Sequence, residues 1–382
     1  MAIFLLIFLV LLLIYSFLID FYRRGWKGVP IHKIEPSNDI KVSVIIAVRN
    51  EEDNIPGLLK CLNEQDYPKD KYEVIIADDS STDNTFMVVS NIYFDYLSKI
   101  ALKLEGSGSK KEALQACITV ASGEMIIATD ADCRMGSSWI SAYVSFYKKT
   151  GAQCIAAPVK MDWDNSLLQI FQTLDFLAMQ AITGASVSRR FHTMCNGANF
   201  AYTKQAFIEV NGFEGIDRIP SGDDMLLMHK ISVAYPGKVM YMKNPESVVF
   251  TKAESSWKSF FHQRIRWASK AVHYKDRKIF YALVLTYLVN VCYLILGIAS
   301  FFDVRWLSFF LLLLIAKILI EFPFINAAAI FFNQQQLMKF FPFLQPLHIL
   351  YVIIAGWFGR FGSYVWKSRT IKNSGSGNLV KQ

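Results

Sequence analysis

Apolar residues gather into four long blocks, and between the first and the second the pattern changes to short β-branched runs broken by polar loops. Residues 2–19 carry no charge, and neither do 279–302. Residues 306–332 are apolar except for Lys317 and Glu321, and 340–359 are again uncharged. A helix crossing the hydrocarbon core needs about 20 apolar residues, so the first two blocks are expected spans. The third is expected to span as well. Its Lys317 and Glu321 stand four apart on one helix face and can pair inside a bundle. The fourth holds Pro342, Gln345, Pro346 and His348, so a re-entrant or interfacial segment competes there with a full crossing.

The middle of the chain reads differently. Val42-Ser43-Val44-Ile45-Ile46-Ala47-Val48 is a buried strand by its β-branched run. Arg49-Asn50-Glu51-Glu52-Asp53-Asn54 breaks it, and residues 55–65 take helical spacing with Pro56 near the start, where proline is tolerated. Two further strands end on acids: Glu73-Val74-Ile75-Ile76-Ala77 runs into Asp78-Asp79, and Glu124-Met125-Ile126-Ile127-Ala128-Thr129 into Asp130-Ala131-Asp132. A polar loop at 80–85, rich in N-cap residues, opens a helix near Phe86, and residues 110–122 form another after the Gly106-Ser107-Gly108-Ser109 loop. Such alternation of strand and helix implies a mostly parallel sheet. The expected organisation is an anchor at 1–20, an α/β domain at 40–275, a membrane region at 279–362 and a flexible tail at 370–382.

Composition and charge add orientation. Hydrophobic residues make up 53% of the 382, more than an ordinary soluble protein carries. No charged side chain precedes the first apolar block, whereas Arg23, Arg24 and Lys27 follow it. That pattern puts the amino terminus outside and the α/β domain in the cytoplasm, and it reads as an anchor rather than a cleaved signal. The net charge of +8 suits a domain lying on an anionic inner leaflet. No dense basic run or basic-aromatic motif points to nucleic acid. The six cysteines show no paired spacing, and five fall in the cytoplasmic domain, where packing is the ordinary role.

Carboxylates at the carboxyl ends of parallel strands sit where open α/β sheets bind ligands. Asp79 can accept from a base imide or bind a ribose hydroxyl, a role Asp78 can share; the structural alternative is an Asx turn or helix cap. Asp130 and Asp132 stand two apart, so in extended backbone both point one way. Such a pair suits Mg or Mn on a leaving diphosphate, the alternative being two solvated carboxylates. Asp223 and Asp224 follow Ser221-Gly222 and precede a buried-looking helix, which Asp224 would cap in a purely structural reading. Gln263, Arg266 and Trp267 share one helix face. There Arg can hold a diphosphate and Trp can stack on a sugar, although Trp257, Phe260 and Phe261 equally mark an interfacial amphipathic helix. His192, His229 and His262 show no ligand spacing, and Lys111 reads as a solvated charge.

Taken together these strings resemble the membrane-type inverting glycosyltransferases of family 2, the group of cellulose, hyaluronan and ceramide-glucoside synthases. Val44-Ile45-Ile46-Ala47-Val48-Arg49-Asn50-Glu51 and Ala77-Asp78-Asp79-Ser80-Ser81-Thr82-Asp83-Asn84-Thr85 are similar to that family's opening. Asp130-Ala131-Asp132 resembles its metal-binding DxD. Asn196-Gly197-Ala198-Asn199-Phe200-Ala201-Tyr202 resembles an acceptor-side segment, and Gln263-Arg264-Ile265-Arg266-Trp267 resembles its QxxRW. Gly222-Asp223-Asp224 stands where Thr-Glu-Asp is usual, so the Thr hydroxyl has no counterpart.

The resemblance implies a GT-A-like α/β domain flanked by transmembrane helices. It implies donor contacts from Ala47, Glu51, Asp78, Asp79, Lys110 and Asp130, a metal on Asp132 with Asp130, and Asp224 as catalytic base. Gln263, Arg266, Trp267 and Asp223 would serve the diphosphate and acceptor. The expected partners are a nucleotide-diphosphate sugar, of UDP type, and a membrane lipid or lipid-linked acceptor. A processive polysaccharide synthase is the nearest alternative and a nucleotidyltransferase the one from another class. The expected setting is a bacterial inner membrane, with the catalytic domain cytoplasmic.

Overall fold

The computed structural model describes residues 2–94, 98–105, 109–217, 219, 222–270, 274, 276–366, 369–372 and 380–381. The Gly106-Ser107-Gly108 loop, Ser221, Lys367-Ser368 and the 373–378 tail lie outside them. In chain order the elements are α1 (Ala2–Gly28), β1 (Val42–Val48), α2 (Ile55–Asn63), β2 (Tyr72–Asp78), α3 (Thr85–Asn91), β3 (Ser98–Lys103) and α4 (Lys110–Val120). There follow β4 (Met125–Ala128), β5 (Arg134–Met135), α5 (Trp139–Thr150), β6 (Cys154–Ala156), β7 (Val159–Asp162), α6 (Leu167–Ser188), β8 (Phe200–Thr203), α7 (Lys204–Glu209) and α8 (Asp223–Ala234). The last are β9 (Val239–Tyr241), β10 (Val249–Lys252), α9 (Trp257–Ser269), α10 (Arg277–Ala299), α11 (Val304–Phe331), α12 (Phe341–Phe361), β11 (Ser363–Trp366), β12 (Arg369–Lys372) and β13 (Val380–Lys381).

Two compact units emerge. One takes residues 29–162 and 186–252; the other takes 1–28, 163–185 and 253–382. The expected 40–275 domain therefore loses two pieces. The 163–185 stretch and everything after 252 belong with the apolar helices, including the whole Gln263-Arg264-Ile265-Arg266-Trp267 string.

The first unit is built on a seven-stranded sheet in the order β3-β2-β1-β4-β8-β6-β9. The β1–β2, β2–β3, β1–β4 and β6–β9 pairs are parallel; β8 is antiparallel to both neighbours. This is the expected α/β fold with a mostly parallel sheet. The β-branched β1 and β2 are buried at every position but Ala47, as strands covered on both faces are. Strand order reverses between β1 and β4, so the carboxyl ends of β1, β2 and β4 border the place where such sheets bind ligands. The edge strand β3 was not legible in the sequence: its polar-apolar mixture lacks a buried run, and it pairs in register with β2 from Glu73↔Ser98 to Asp78↔Lys103.

In the second unit α1, α10, α11 and α12 are long and apolar enough to cross a membrane. Helices α1 and α11 run in the same direction. Phe4 meets Trp306 at one end (ring centroids 6.2 Å), and Trp26 Nε1 donates to Ala327 O (3.1 Å) at the other. Helix α10 runs opposite to α11, with the Tyr293 hydroxyl donating to Leu313 O (2.7 Å). A buried polar cluster joins three of the helices. Lys317 Nζ stands 2.6 Å from Glu321 Oε1 and donates to Gln345 Oε1 (2.7 Å). The Tyr15 hydroxyl and Gln345 Nε2 donate to Glu321 (2.6 and 2.9 Å).

The fourth apolar block, where a re-entrant or interfacial segment competes with a full crossing, forms a helix long and apolar enough to cross. Its prolines do not interrupt it, because Pro342 lies in the first turn, and α12 is a continuous helix of 21 residues with Pro346 inside. Yet α12 does not begin at the foot of α11. Phe341 meets Phe322 (6.0 Å) and Gln345 reaches Lys317 and Glu321, so its start is level with the middle of α11. Its other end lies against α9, where a Cβ on Gly359 would come within 2.6 Å of the Ala268 Cβ. Beyond it, where flexibility is expected from 370, β12 pairs antiparallel with β11 and β13; Thr370 and Ile371 are β-branched, as strands favour.

Candidate active site

The loop after β1 starts with Asn50 at φ 52° and closes over the end of β2. Arg49 donates to Asp79 O (2.9 Å), and its guanidinium stands 3.6 Å from the Asp79 carboxylate. Ala47 is the one β1 position left half-buried; the other six are buried. Glu51 accepts from Asn54 Nδ2 (2.7 Å) while its backbone N–H donates to Thr85 Oγ1 (2.8 Å), which fixes the loop to α3. Asp78 and Asp79 are both buried, at 2% and 4% exposure. They differ in use. Asp78 accepts from the Ser81 hydroxyl and, at 3.3 Å, from its N–H, the local turn that stood as its structural alternative. Asp79 faces Arg49.

Around β4 the acids converge on one lysine. Lys110, the first residue of α4, places Nζ 2.6 Å from Asp130 and 3.7 Å from Asp223. Burial opposes its charge, but Asp130, Asp223 and Asp224 outweigh that and raise its pKa. Asp132 accepts from Thr251 Oγ1 on β10 (3.2 Å). Burial, with Asp130 and Glu51 nearby, raises its pKa. The strand-end acids and the α8 acids thus share one charged centre through Lys110, across more than 90 residues of sequence.

Helix α8 starts from Gly222 at φ 80°, a conformation in which a Thr would be strained. That accounts for the departure from the Thr-Glu-Asp pattern. Asp224 accepts from its neighbour Met225 N–H (2.8 Å) and from Gly197 N–H (2.8 Å). An added Cβ on Gly197 would rest in ordinary contact with the Asp224 carboxylate, 3.4 Å from Oδ2. Lys110, Thr129, Gly197, Tyr202, Asp223 and Asp224 line a shallow, half-open pocket. A carboxylate held by two backbone donors at a pocket wall can take a proton from a hydroxyl placed there.

Asn199, in the segment expected on the acceptor side, is instead wholly occupied in the core. It accepts from Trp139 Nε1 (2.9 Å) and Tyr143 (2.7 Å) and donates to Pro158 O and Ser247 O (2.7 and 2.8 Å). That exhausts both its donors and its acceptor lone pairs. Lys111 corrects a second expectation. It is 4% exposed rather than solvated, and donates to Ile216 O (2.7 Å) and Ile219 O in the loop leading to α8. No local signal distinguishes it from Lys110; its carbonyl partners are over 100 residues away.

Among the described residues no three His, Cys, Asp or Glu side chains gather on one point. Asp130, Asp132 and the Thr251 hydroxyl are all-oxygen donors. A hard divalent ion commonly takes one or two carboxylates and completes its shell with phosphate and water, so the donor set fits Mg or Mn bound together with a diphosphate.

Gln263, Arg266 and Trp267 lie on α9 in the other unit. Gln263 Nε2 donates to Glu254 (2.9 Å), and Arg266 is half-buried. The residue passed over in the sequence is Arg264 between them. It is 1% exposed and stacks at 4.2 Å on the Trp267 ring.

Residues 43–210 match the family described as Glycosyl transferase family 2. The chain is 25% identical over 270 residues to the probable glycosyltransferase YdaM of Bacillus subtilis, across 68% of this chain and 63% of that protein. It is 30% identical over 181 residues to glycosyltransferase AglE of Haloferax volcanii, across 47% and 56%. With the beta-monoglucosyldiacylglycerol synthase of Nostoc it shares 33% over 110 residues, 28% of this chain and 24% of that one. The chain thus spans less than two thirds of each relative. Among solved structures, the mannosyltransferase PcManGT of Pyrobaculum calidifontis, held with GDP-Man and Mn2+, superposes with a TM-score of 0.61. The two are 18% identical, and the match covers 94% and 97% of the chains. At that identity the likeness is one of fold: the α/β domain is GT-A-like.

Proposed function

We propose that this chain, which carries a family-2 glycosyltransferase domain, moves a sugar from a nucleotide-diphosphate sugar to a lipid or lipid-linked acceptor at a membrane. The observation that carries the reading is the convergence of Asp130, Asp223 and Asp224 on Lys110 at the ligand-binding edge of the sheet. In this reading Ala47, Glu51, Asp78 and Asp79 border the nucleotide, with Asp79 as the principal base or ribose contact. Lys110 exchanges Asp130 for the donor diphosphate. Asp132, with Asp130, would hold Mg or Mn, which supplies charge neutralisation for the leaving diphosphate.

The acceptor hydroxyl gives its proton to Asp224. Its oxygen attacks the anomeric carbon, the bond from that carbon to the diphosphate oxygen breaks, and the nucleoside diphosphate leaves with the electron pair. One displacement inverts the anomeric centre and needs no covalent enzyme intermediate. Gln263, Arg266 and Trp267, with Asp223, serve the diphosphate and acceptor.

A lipid acceptor is supported by two points. The relatives include proteins named for diacylglycerol products. Helix α12 starts level with the middle of α11 and ends against α9, a path that suits a segment dipping into one leaflet. With α1 as anchor and Arg23, Arg24 and Lys27 inside, the catalytic domain is cytoplasmic, on a bacterial inner membrane.

The test is binding and turnover of a panel of UDP- and GDP-sugars by the purified full chain in vesicles containing diacylglycerol, with Mg or Mn. Release of nucleoside diphosphate together with a glycosylated lipid supports the proposal. Pyrophosphate as the product would make the chain a nucleotidyltransferase, and a long polymer would make it a processive synthase.

A further inference from the structure

Helix α9 carries a buried positive charge that its position does not require. The Arg264 side chain is 1% exposed, and its guanidinium stands 3.0 Å from Asp175 of α6, itself 8% exposed. The same guanidinium lies 4.2 Å from the centroid of Trp267 and 4.9 Å from that of Phe260. It also donates to Gln263 Oε1 (2.7 Å). Trp267 meets Phe176, the neighbour of Asp175, at 6.3 Å. The Tyr351 ring of α12 meets Phe260 of α9 (5.4 Å) and Phe171 of α6 (5.7 Å). One ion pair therefore joins α6 and α9, and its cation touches both Gln263 and Trp267.

A buried ion pair is a poor source of stability, because desolvation cancels much of the attraction and apolar residues of similar volume often do as well. What a planar guanidinium offers in addition is direction. It can donate along its edge while an aromatic ring stacks on its face, which an ammonium cannot do. Arg264 combines the two: its edge donates to Gln263 and stands 3.0 Å from the Asp175 carboxylate, and its face lies against Trp267.

We propose that the Asp175–Arg264 pair is a positioning device that sets the side-chain orientations of Gln263 and Trp267 for the acceptor. The inference rests on the glycosyltransferase reading for what those two residues contact, but not for the clamp itself. Arg264 does not touch substrate in this scheme; it acts through its neighbours. Misplacing an acceptor-binding group by about 1 Å can cost about 100-fold in turnover.

The test uses the purified full chain in phosphatidylcholine vesicles carrying diacylglycerol, with UDP-glucose and GDP-mannose as donors. Three variants are compared: Arg264→Lys, Asp175→Glu and the charge-free pair Asp175→Leu with Arg264→Met. The Trp267 fluorescence component, taken as the difference from a Trp267→Phe chain, is quenched with acrylamide. Expected is stronger quenching of that component in Arg264→Lys and in the double variant, and near-native quenching in Asp175→Glu. Turnover should fall by about 100-fold in the first two, with the donor KM unchanged and with substantial recovery in Asp175→Glu.

Unaltered quenching of Trp267 in Arg264→Lys overturns the proposal, whether or not the double variant folds. So does full turnover in Arg264→Lys or in the folded double variant. Absence of donor binding by the unaltered chain would sink the transferase reading instead, and the quenching comparison would still decide the clamp.

Discussion

The two units treat charge in opposite ways. In the sheet unit, Asp130, Asp223 and Asp224 surround Lys110, and Asp132 lies near Asp130 and Glu51. Among the described residues of the helical unit, buried charges stand in pairs: Lys317 with Glu321, and Arg264 with Asp175. The Lys317–Glu321 pair is closed: ammonium, carboxylate and the Gln345 amide answer one another. The cluster at Lys110 is different, with three carboxylates around one ammonium. Such an excess suits a metal-diphosphate ligand whose cation completes the balance. Breaking a closed pair should thus cost stability, and altering the Lys110 cluster should cost activity.

The sharpest contrast comes from Asp224→Asn. Turnover should fall by about 10²–10⁴-fold, the usual range for losing a general base. Donor KM and melting temperature should stay close to those of the unaltered chain. Normal turnover in the purified variant would remove Asp224 from the base role.

Next in size is Glu321→Leu, which strands the Lys317 ammonium among apolar helices. It should destabilise the helical unit by about 3–5 kcal/mol, read from thermal unfolding in detergent. Adding Lys317→Met should recover most of that loss. A single variant as stable as the double would contradict the closed-pair account.

The smallest effect tests a carboxylate of the sheet unit outside the Lys110 cluster. Glu73 is buried and accepts from the Ser43 hydroxyl (2.6 Å), the Ser122 hydroxyl (2.7 Å) and the Ser122 N–H (2.6 Å). Burial raises its pKa, but these hydrogen bonds outweigh burial and leave it lowered. Its contribution is therefore full above about pH 4.5 and is lost as pH falls through the lowered folded value. Glu73→Gln should cost about 1–3 kcal/mol at neutral pH, and the difference should shrink below pH 4.5. An equal difference at both pH values would count against the ionised form as the origin.

Legibility in the sequence divides along similar lines. Strands β1, β2 and β4 and their terminal acids were readable because a buried parallel strand writes itself as a continuous apolar run and then stops. The Lys317–Glu321 pair was readable because both ends lie on one helix face, four residues apart. Their partners were not: Tyr15 comes from 306 residues away, and Gln345 from a segment whose prolines argued against a continuous helix. Arg264 and Asp175 were missed for the same reason. Neither has a local counterpart, and only the meeting of α6 with α9 brings them together. Lys111 shows the limit most simply, since two adjacent lysines differ only in what the distant chain offers each.

Having Lys317 and Glu321 on one helix also bears on how the chain is made. If α11 enters the bilayer as it is synthesised, its two charges neutralise each other within their own turn before any neighbour is in place. The insertion machinery then meets a nearly neutral segment rather than two separate ions, each costing about 2.5–3.5 kcal/mol at the centre of a lone helix. Tyr15 belongs to a helix made much earlier, and Gln345 to one made just after. The polar cluster can therefore assemble in the order of synthesis: the first helix waits, the third arrives already neutral, and the last closes the network.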